Sequence, residues 1–262
     1  MMKYYFICIC VCVAGMISSC ERADPSVVTV ESVKALTYME ADAVQDLYQM
    51  LKDTSEIFER AGIRYSASSG TVLGMMRQGG LIPWDDDADL VILHEDELKL
   101  NDVRKAFDAL GYHIVCDPWD SSVYRISKIG NPIARDKKIT FPFIDVATVA
   151  LNPKEKKVMY VNWKMLQYFP TEWFKPEAFF PLSKRAFGPI QLYCVHDPEW
   201  YLTHYYGADW KKAGCIVPRH YKPKHADIFE VSFETHPEYL TPALPATPLL
   251  DRVTHLPECV FK

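Results

Sequence analysis

The chain lacks an excess of basic residues. Its 29 Lys and Arg stand against 34 Asp and Glu, for a net charge of −5. That argues against a general nucleic-acid binder, which carries a basic face, but not against a local basic pocket for a nucleotide. There is no C-x-x-C pair and no H-x-x-x-H pair, so nothing points to a zinc site. His204 and His220 accordingly read as structural or surface residues. No internal repeat or low-complexity block is visible. The apolar run Tyr4–Ile17 falls short of the roughly 20 residues that a membrane-spanning helix needs.

That run does have the length of a signal-peptide core, and Lys3 precedes it. It ends in Ile17-Ser18-Ser19-Cys20, which resembles a bacterial lipoprotein cleavage box. Two readings follow for residues 1–20: a cleaved signal peptide with Cys20 lipidated, or an uncleaved secretory-pathway signal anchor in which Cys20 is incidental. Both make the protein exported and membrane-attached, with residues 21–34 as a polar tether. Cys8, Cys10 and Cys12 lie in the hydrophobic segment. Cys116, Cys194, Cys215 and Cys259 are left. In an oxidising compartment they can form disulfides, and Cys116 and Cys194, in apolar strand-like runs, can equally be plain buried thiols.

What the chain does have is an acidic run against a core. Asp85, Asp86, Asp87 and Asp89 stand between Leu81-Ile82-Pro83-Trp84 and Leu90-Val91-Ile92-Leu93. Clustered carboxylates repel one another and open a buried strand poorly, unless a cation sits among them. In an extended chain Asp85, Asp87 and Asp89 share one face and Asp86 takes the other, with alternate residues roughly 6–7 Å apart. Their oxygens can then converge on hard cations such as Mg²⁺ or Mn²⁺. The bland alternative is a solvated turn held by Pro83 and by aspartate side chains. The apolar flanks favour a site at the lip of a core.

These residues resemble a known signature. Gly70-Thr71-Val72-Leu73-Gly74, Arg77, Gly80 and Ile82-Pro83-Trp84-Asp85-Asp86-Asp87 with Asp89 are similar to the LicD/fukutin family of the nucleotidyltransferase superfamily. Phe143-Ile144-Asp145-Val146 looks like the family's later aspartate-bearing strand. His196–Leu202 and Tyr206–Trp210 look like its C-terminal helix and turn. The resemblance covers roughly residues 40–212 and is loose between 94 and 140. It implies an α/β (α+β) fold, a nucleotidyltransferase-like mixed β-sheet flanked by helices, over residues 35–216. It also implies metal-dependent transfer of a phospho-alcohol, such as phosphocholine or ribitol phosphate, from a CDP-activated donor to a glycan hydroxyl. Two alternatives are a degenerate member that binds nucleotide or glycan, and a nucleotidyltransferase acting on a protein or small molecule.

The periodicity predicts helices over Leu36–Ala61, Glu95–Leu110 and Pro198–Tyr206, and a helix start over Thr71–Gln78. Leu98, Val103, Phe107 and Leu110 form the apolar side of the second of these. Strands are predicted at Ile63–Tyr65, Ala88–Leu93, Tyr112–Cys116, Val123–Ile129 and Phe141–Ala150, with weaker ones at Lys157–Val161 and Ile190–Val195. Residues 217–262 carry Pro218, Pro223, Pro237, Pro242, Pro245, Pro248 and Pro257, so they read as an irregular C-terminal extension, wrapped on the domain or loose.

Asp145 lies inside an apolar strand, where an ionised carboxylate is costly unless paired or metal-bound. Alone it reads as a strand-edge Asp with an Arg partner; within the family pattern it is a third catalytic carboxylate. The resemblance thus gives Asp87, Asp89 and Asp145 as catalytic and Asp85, Asp87, Asp89 and Asp145 as metal ligands, with Asp145 either holding the metal that activates the acceptor hydroxyl or serving as general base. Gly70 and Thr71, at a Ser/Gly-rich helix start, become donor-phosphate contacts. Arg77 becomes a phosphate fork or, alternatively, a salt-bridge partner of a nearby aspartate. Arg125 and Lys128 are further pocket cations, whereas Lys137-Lys138 reads as a solvated loop. Trp84 and Tyr124 can stack on a base or fill the core.

Overall fold

The computed structural model describes residues 38–116, 123–130, 132–133, 136–216 and 229–261. Residues 1–37, including Cys20, and His220 lie outside these, and the side chains of Lys137 and Lys138 are not described. No helix among the described residues is long and apolar enough to cross a membrane.

Among the described residues the first helix, α1 (Ala41–Arg60), starts later than its apolar spacing suggested. It buries Leu47, Met50, Leu51, Ile57 and Phe58. Gly62, at a φ of +65°, lets the chain reverse into β1 (Tyr65–Ala67). Then come α2 (Ser69–Arg77) and β2 (Asp87–Leu93). The predicted helix 95–110 is broken into a 3₁₀ turn (His94–Asp96), α3 (Lys99–Asp102) and α4 (Arg104–Ala109). Leu98, expected on its buried side, is 80% exposed. The cause is Asp96, whose buried carboxylate takes hydrogen bonds from Arg64 and Lys99. Tying this turn inward rotates Leu100 and Val103 into the core and Leu98 out of it.

The sheet is completed by β3 (Tyr112–Cys116), β4 (Val123–Lys128), β7 (Phe143–Asn152), β8 (Lys157–Tyr160) and β9 (Trp173–Phe174). Between β4 and β7 lies a small separate hairpin, β5 (Pro132–Ile133) with β6 (Asp136–Thr140). The main order is β1-β2-β7-β4-β3, with β8 on β7 and β9 on β8. β2 and β7 run parallel and the other pairs antiparallel, so the sheet is mixed, as expected. Helix α5 (Trp163–Tyr168) precedes β9, and α6 (Pro176–Phe179) follows it. The β10 (Ser183–Phe187)–β11 (Ile190–Cys194) hairpin leads into α7 (Pro198–Tyr206), which Asp197 caps through the Trp200 N–H.

The Pro-rich tail is less irregular than its composition suggested. Strand β12 (Ala213–Ile216) pairs with β13 (Phe229–Ser232), and Ala243 bridges to Leu81. The tail then winds along α1: Gln49 exchanges hydrogen bonds with the backbone of Leu250, and Arg252 reaches Asp53. Of the two cysteines in strand-like runs, Cys194 is buried and Cys116 is exposed, so the buried-thiol alternative fits Cys194 and not Cys116.

Candidate active site

The parallel pairing of β2 and β7 puts Asp89 directly beside Asp145, and the antiparallel pairing of β7 and β4 puts Arg125 beside Asp145. Three charged residues therefore stand in a row across three strands on one face. Arg125 grips Asp145 in a bidentate pair at 2.5 and 2.8 Å, and its guanidinium lies 4.3 Å from the centre of the Phe143 ring. This is the arginine-paired environment that Asp145 suggests when read alone.

At the head of β2, one carboxylate oxygen from each of Asp85, Asp86 and Asp87 lies within 4.8 Å of the others. Asp86 was expected on the opposite face, and its position is a correction. Strict alternation begins only at Asp87, because a turn closed by the Asp85 N–H on the Ile82 carbonyl precedes it. Asp86 and Asp87 are 2% and 5% exposed. Three hard oxygen donors at this spacing fit a divalent cation of the Mg²⁺ or Mn²⁺ type. Asp89 and Asp145 lie outside this tight trio. Burial first, and then Asp87, Asp85, Asp145 and Glu172, push the Asp89 carboxyl well above the usual range.

The start of α2 forms the second wall. Gly70 donates to Asp89 at 3.3 Å, the Thr71 hydroxyl accepts from the Asp89 N–H at 2.8 Å, and Ser68 N–H donates to the Asp89 carbonyl. A Cβ on Gly70 would sit 2.5 Å from an Asp85 oxygen, so only glycine lets that carboxylate close onto the helix start. Gly70 and Thr71 thus meet the acidic cluster itself.

The other expected cations lie elsewhere. Arg77 is at the far end of α2, over the Phe233 ring and near the Trp210 carbonyl. Lys128 pairs with Asp46 of α1 at 2.8 Å. It is three residues from Arg125, so strand alternation sends it to the opposite face. Trp84 is core, donating to the Cys215 carbonyl, and Tyr124 donates to Glu97. His204 stacks on Trp200 and meets the Thr171 carbonyl, a structural role as expected.

One acid escaped the sequence reading. Glu172 is 3% exposed and accepts from Ser69 Oγ at 2.8 Å and from the Tyr201 hydroxyl. Its signal was available: an acid between Phe169 and Phe174, by the same logic that singled out Asp145.

The profile of the LicD/FKTN/FKRP nucleotidyltransferase domain matches residues 62–195, a span that contains every residue of this site except Tyr201. The chain belongs to the LicD/FKTN/FKRP family. It is 34% identical over 210 residues to an uncharacterized protein of Rickettsia prowazekii, covering 79% of this chain and 72% of that one. It is also 51% identical over 41 residues to the lipopolysaccharide cholinephosphotransferase LicD of Haemophilus influenzae. It is 44% identical over 50 residues to the human ribitol 5-phosphate transferase FKRP. Those two matches cover 16% and 19% of this chain, and 15% and 10% of the relatives. Among solved structures, a lincomycin-bound lincosamide antibiotic adenylyltransferase, LnuA, is similar over 61% of this chain and 81% of its own, at 14% identity and a TM-score of 0.35. Family membership supports a transferase built on a nucleotidyltransferase domain.

Proposed function

We propose that this chain transfers a phospho-alcohol, of the phosphocholine or ribitol-phosphate kind, from a CDP-activated donor to a glycan hydroxyl. The observation that carries the reading is the carboxylate trio at the head of β2, walled by Gly70 and followed two residues on by Asp89 beside Asp145, within a LicD-family domain. Asp85, Asp86 and Asp87 would hold Mg²⁺ or Mn²⁺, with Asp89 beside them. When bound, the cation would stabilise charge developing on the phosphoryl oxygens. The acceptor oxygen forms a bond to the donor's distal phosphorus as the bond from that phosphorus to the CMP oxygen breaks. Asp145 takes the acceptor's proton, and Arg125 sets the orientation of that carboxylate. The acceptor is a glycan or glycoconjugate, and membrane attachment through the N-terminus would keep the enzyme near it.

One observation favours a second reading, a member that binds nucleotide or glycan without turnover: Asp145 is already closed by Arg125. The deciding measurement is CMP release by the full chain from a panel of CDP-alcohols with Mg²⁺ or Mn²⁺, against metal removal and the Asp87→Ala/Asp89→Ala double variant. Metal-dependent release lost in the variant supports the transferase. Binding without release supports the second reading, and absence of binding removes the donor class.

A further inference from the structure

Ser69, the first residue of α2, holds a φ of +41° without being glycine. A side chain in the left-handed region is costly and persists only where its surroundings enforce it. Two groups do so here. The Ser69 N–H donates to the Tyr201 hydroxyl at 3.0 Å, and its Oγ donates to Glu172 at 2.8 Å. The Tyr201 hydroxyl in turn donates to the same carboxylate oxygen. The hydroxyls of Tyr160 and Tyr205 also face Glu172, so this buried acid sits in a ring of donors from β8 and α7. On its other side the turn is tied to Asp89 through Ser68, Gly70 and Thr71.

We infer that Glu172 is a positioning residue, a clamp that works with Tyr201 to force Ser69 into its left-handed conformation. The clamp thereby seats the bare face of Gly70 against Asp85 and Asp89. Its purpose rests on the transferase reading, but its geometry does not. A glycine at position 69 would adopt the same backbone without strain, so it should make the clamp dispensable. A buried acid kept only to fill space would show no such coupling.

Hydrogen–deuterium exchange on the full chain tests this, read on residues 66–75 with residues 44–58 of α1 as the internal control. Glu172→Ala and Tyr201→Phe should each speed exchange in 66–75 about tenfold and leave α1 unchanged. Adding Ser69→Gly to Glu172→Ala should restore exchange to within about threefold of wild type. Glu172→Gln, which keeps an acceptor oxygen, should stay near wild type. Equal loosening of α1, no local loosening, or no restoration by glycine would overturn the clamp. If Glu172→Ala fails to fold, Tyr201→Phe with and without Ser69→Gly decides it. A parallel titration with CDP-choline and Mg²⁺ should show about tenfold weaker binding in Glu172→Ala and recovery with Ser69→Gly. If wild type does not bind CDP-choline, the transferase reading loses that donor, and the exchange data alone still decide the clamp.

Discussion

Asp53 in α1 and Asp89 in β2 are both acids set inward among apolar residues, and their neighbours differ in kind. Asp53 is fully buried and ringed by donors: Gln49 at 3.0 Å, the Tyr112 hydroxyl at 2.7 Å and Arg252 at 3.2 Å. Burial raises its carboxyl, and those partners oppose the rise. Asp89 has one long hydrogen bond from Gly70 and, close by, Asp87, Asp85, Asp145 and Glu172. A carboxylate that only holds a fold is neutralised by its surroundings. Crowded like charge is what the proposed cation site would require instead, at a cost in stability. The first acid fastens the C-terminal tail to α1; the second meets the start of α2 through Gly70 and is otherwise crowded by other acids.

The sharpest way to break this contrast is to neutralise each acid in turn. Asp89→Asn should lower CMP release about a thousandfold, the scale of losing several kcal/mol of metal-assisted stabilisation. Without divalent cation its melting temperature should equal or exceed that of wild type, because a repelled charge is gone. Added Mn²⁺ should raise the melting temperature of wild type, and that of the variant, which keeps Asp85, Asp86 and Asp87, by less. A loss of stability in metal-free Asp89→Asn would mean that this acid, like Asp53, is structural. The reverse pattern is expected at the tail. Arg252→Ala should cost about 2–3 kcal/mol in urea unfolding, since it leaves Asp53 and the Leu110 carbonyl short of a partner. Its CMP release should match wild type.

A third carboxylate lets pH separate the two kinds. Burial pushes Asp96 up, but hydrogen bonds from Arg64 and Lys99 outweigh it and hold the carboxyl at about 2. A folded value below the unfolded one means that its contribution is present above about pH 4 and is lost as pH falls through about 2. With its partners half-exposed, that contribution is about 1–2 kcal/mol. Unfolding curves of wild type should steepen over this window, and Asp96→Asn should flatten them.

The sequence made some of this legible and hid the rest for physical reasons. Asp87 and Asp89 could be found because they belong to an acidic run set against an apolar one within the family signature, and Asp145 because it lies between Ile144 and Val146; the parallel register then pairs Asp89 with Asp145. Asp86 could not be placed, because alternation applies only within a strand and the strand starts one residue later. Leu98 followed helical spacing that Asp96 broke by pairing with Arg64, a residue far away in sequence. Arg77 belongs to the family signature, yet it occupies the opposite end of α2 from Gly70. Signature membership gives no direction for a side chain. The tail's grip on Asp53 depends on Arg252, about 200 residues distant, and no local pattern announces such a contact.

Arg125 and Lys128 give the finest version of the comparison, two cations on one strand with equal claims as phosphate ligands. Alternation separates them. Arg125 shares a face with Asp145, and Lys128 faces α1. Arg125→Lys should replace a two-pronged grip on Asp145 with a single contact and lower turnover about tenfold. Lys128→Ala removes an exposed pair with Asp46, worth less than about 1 kcal/mol. It should change turnover less than about twofold, measured as CMP release at saturating donor. Equal losses in the two variants would place both cations on the donor. A loss confined to Arg125 would tie the effect to Asp145 and to the face that carries the carboxylates.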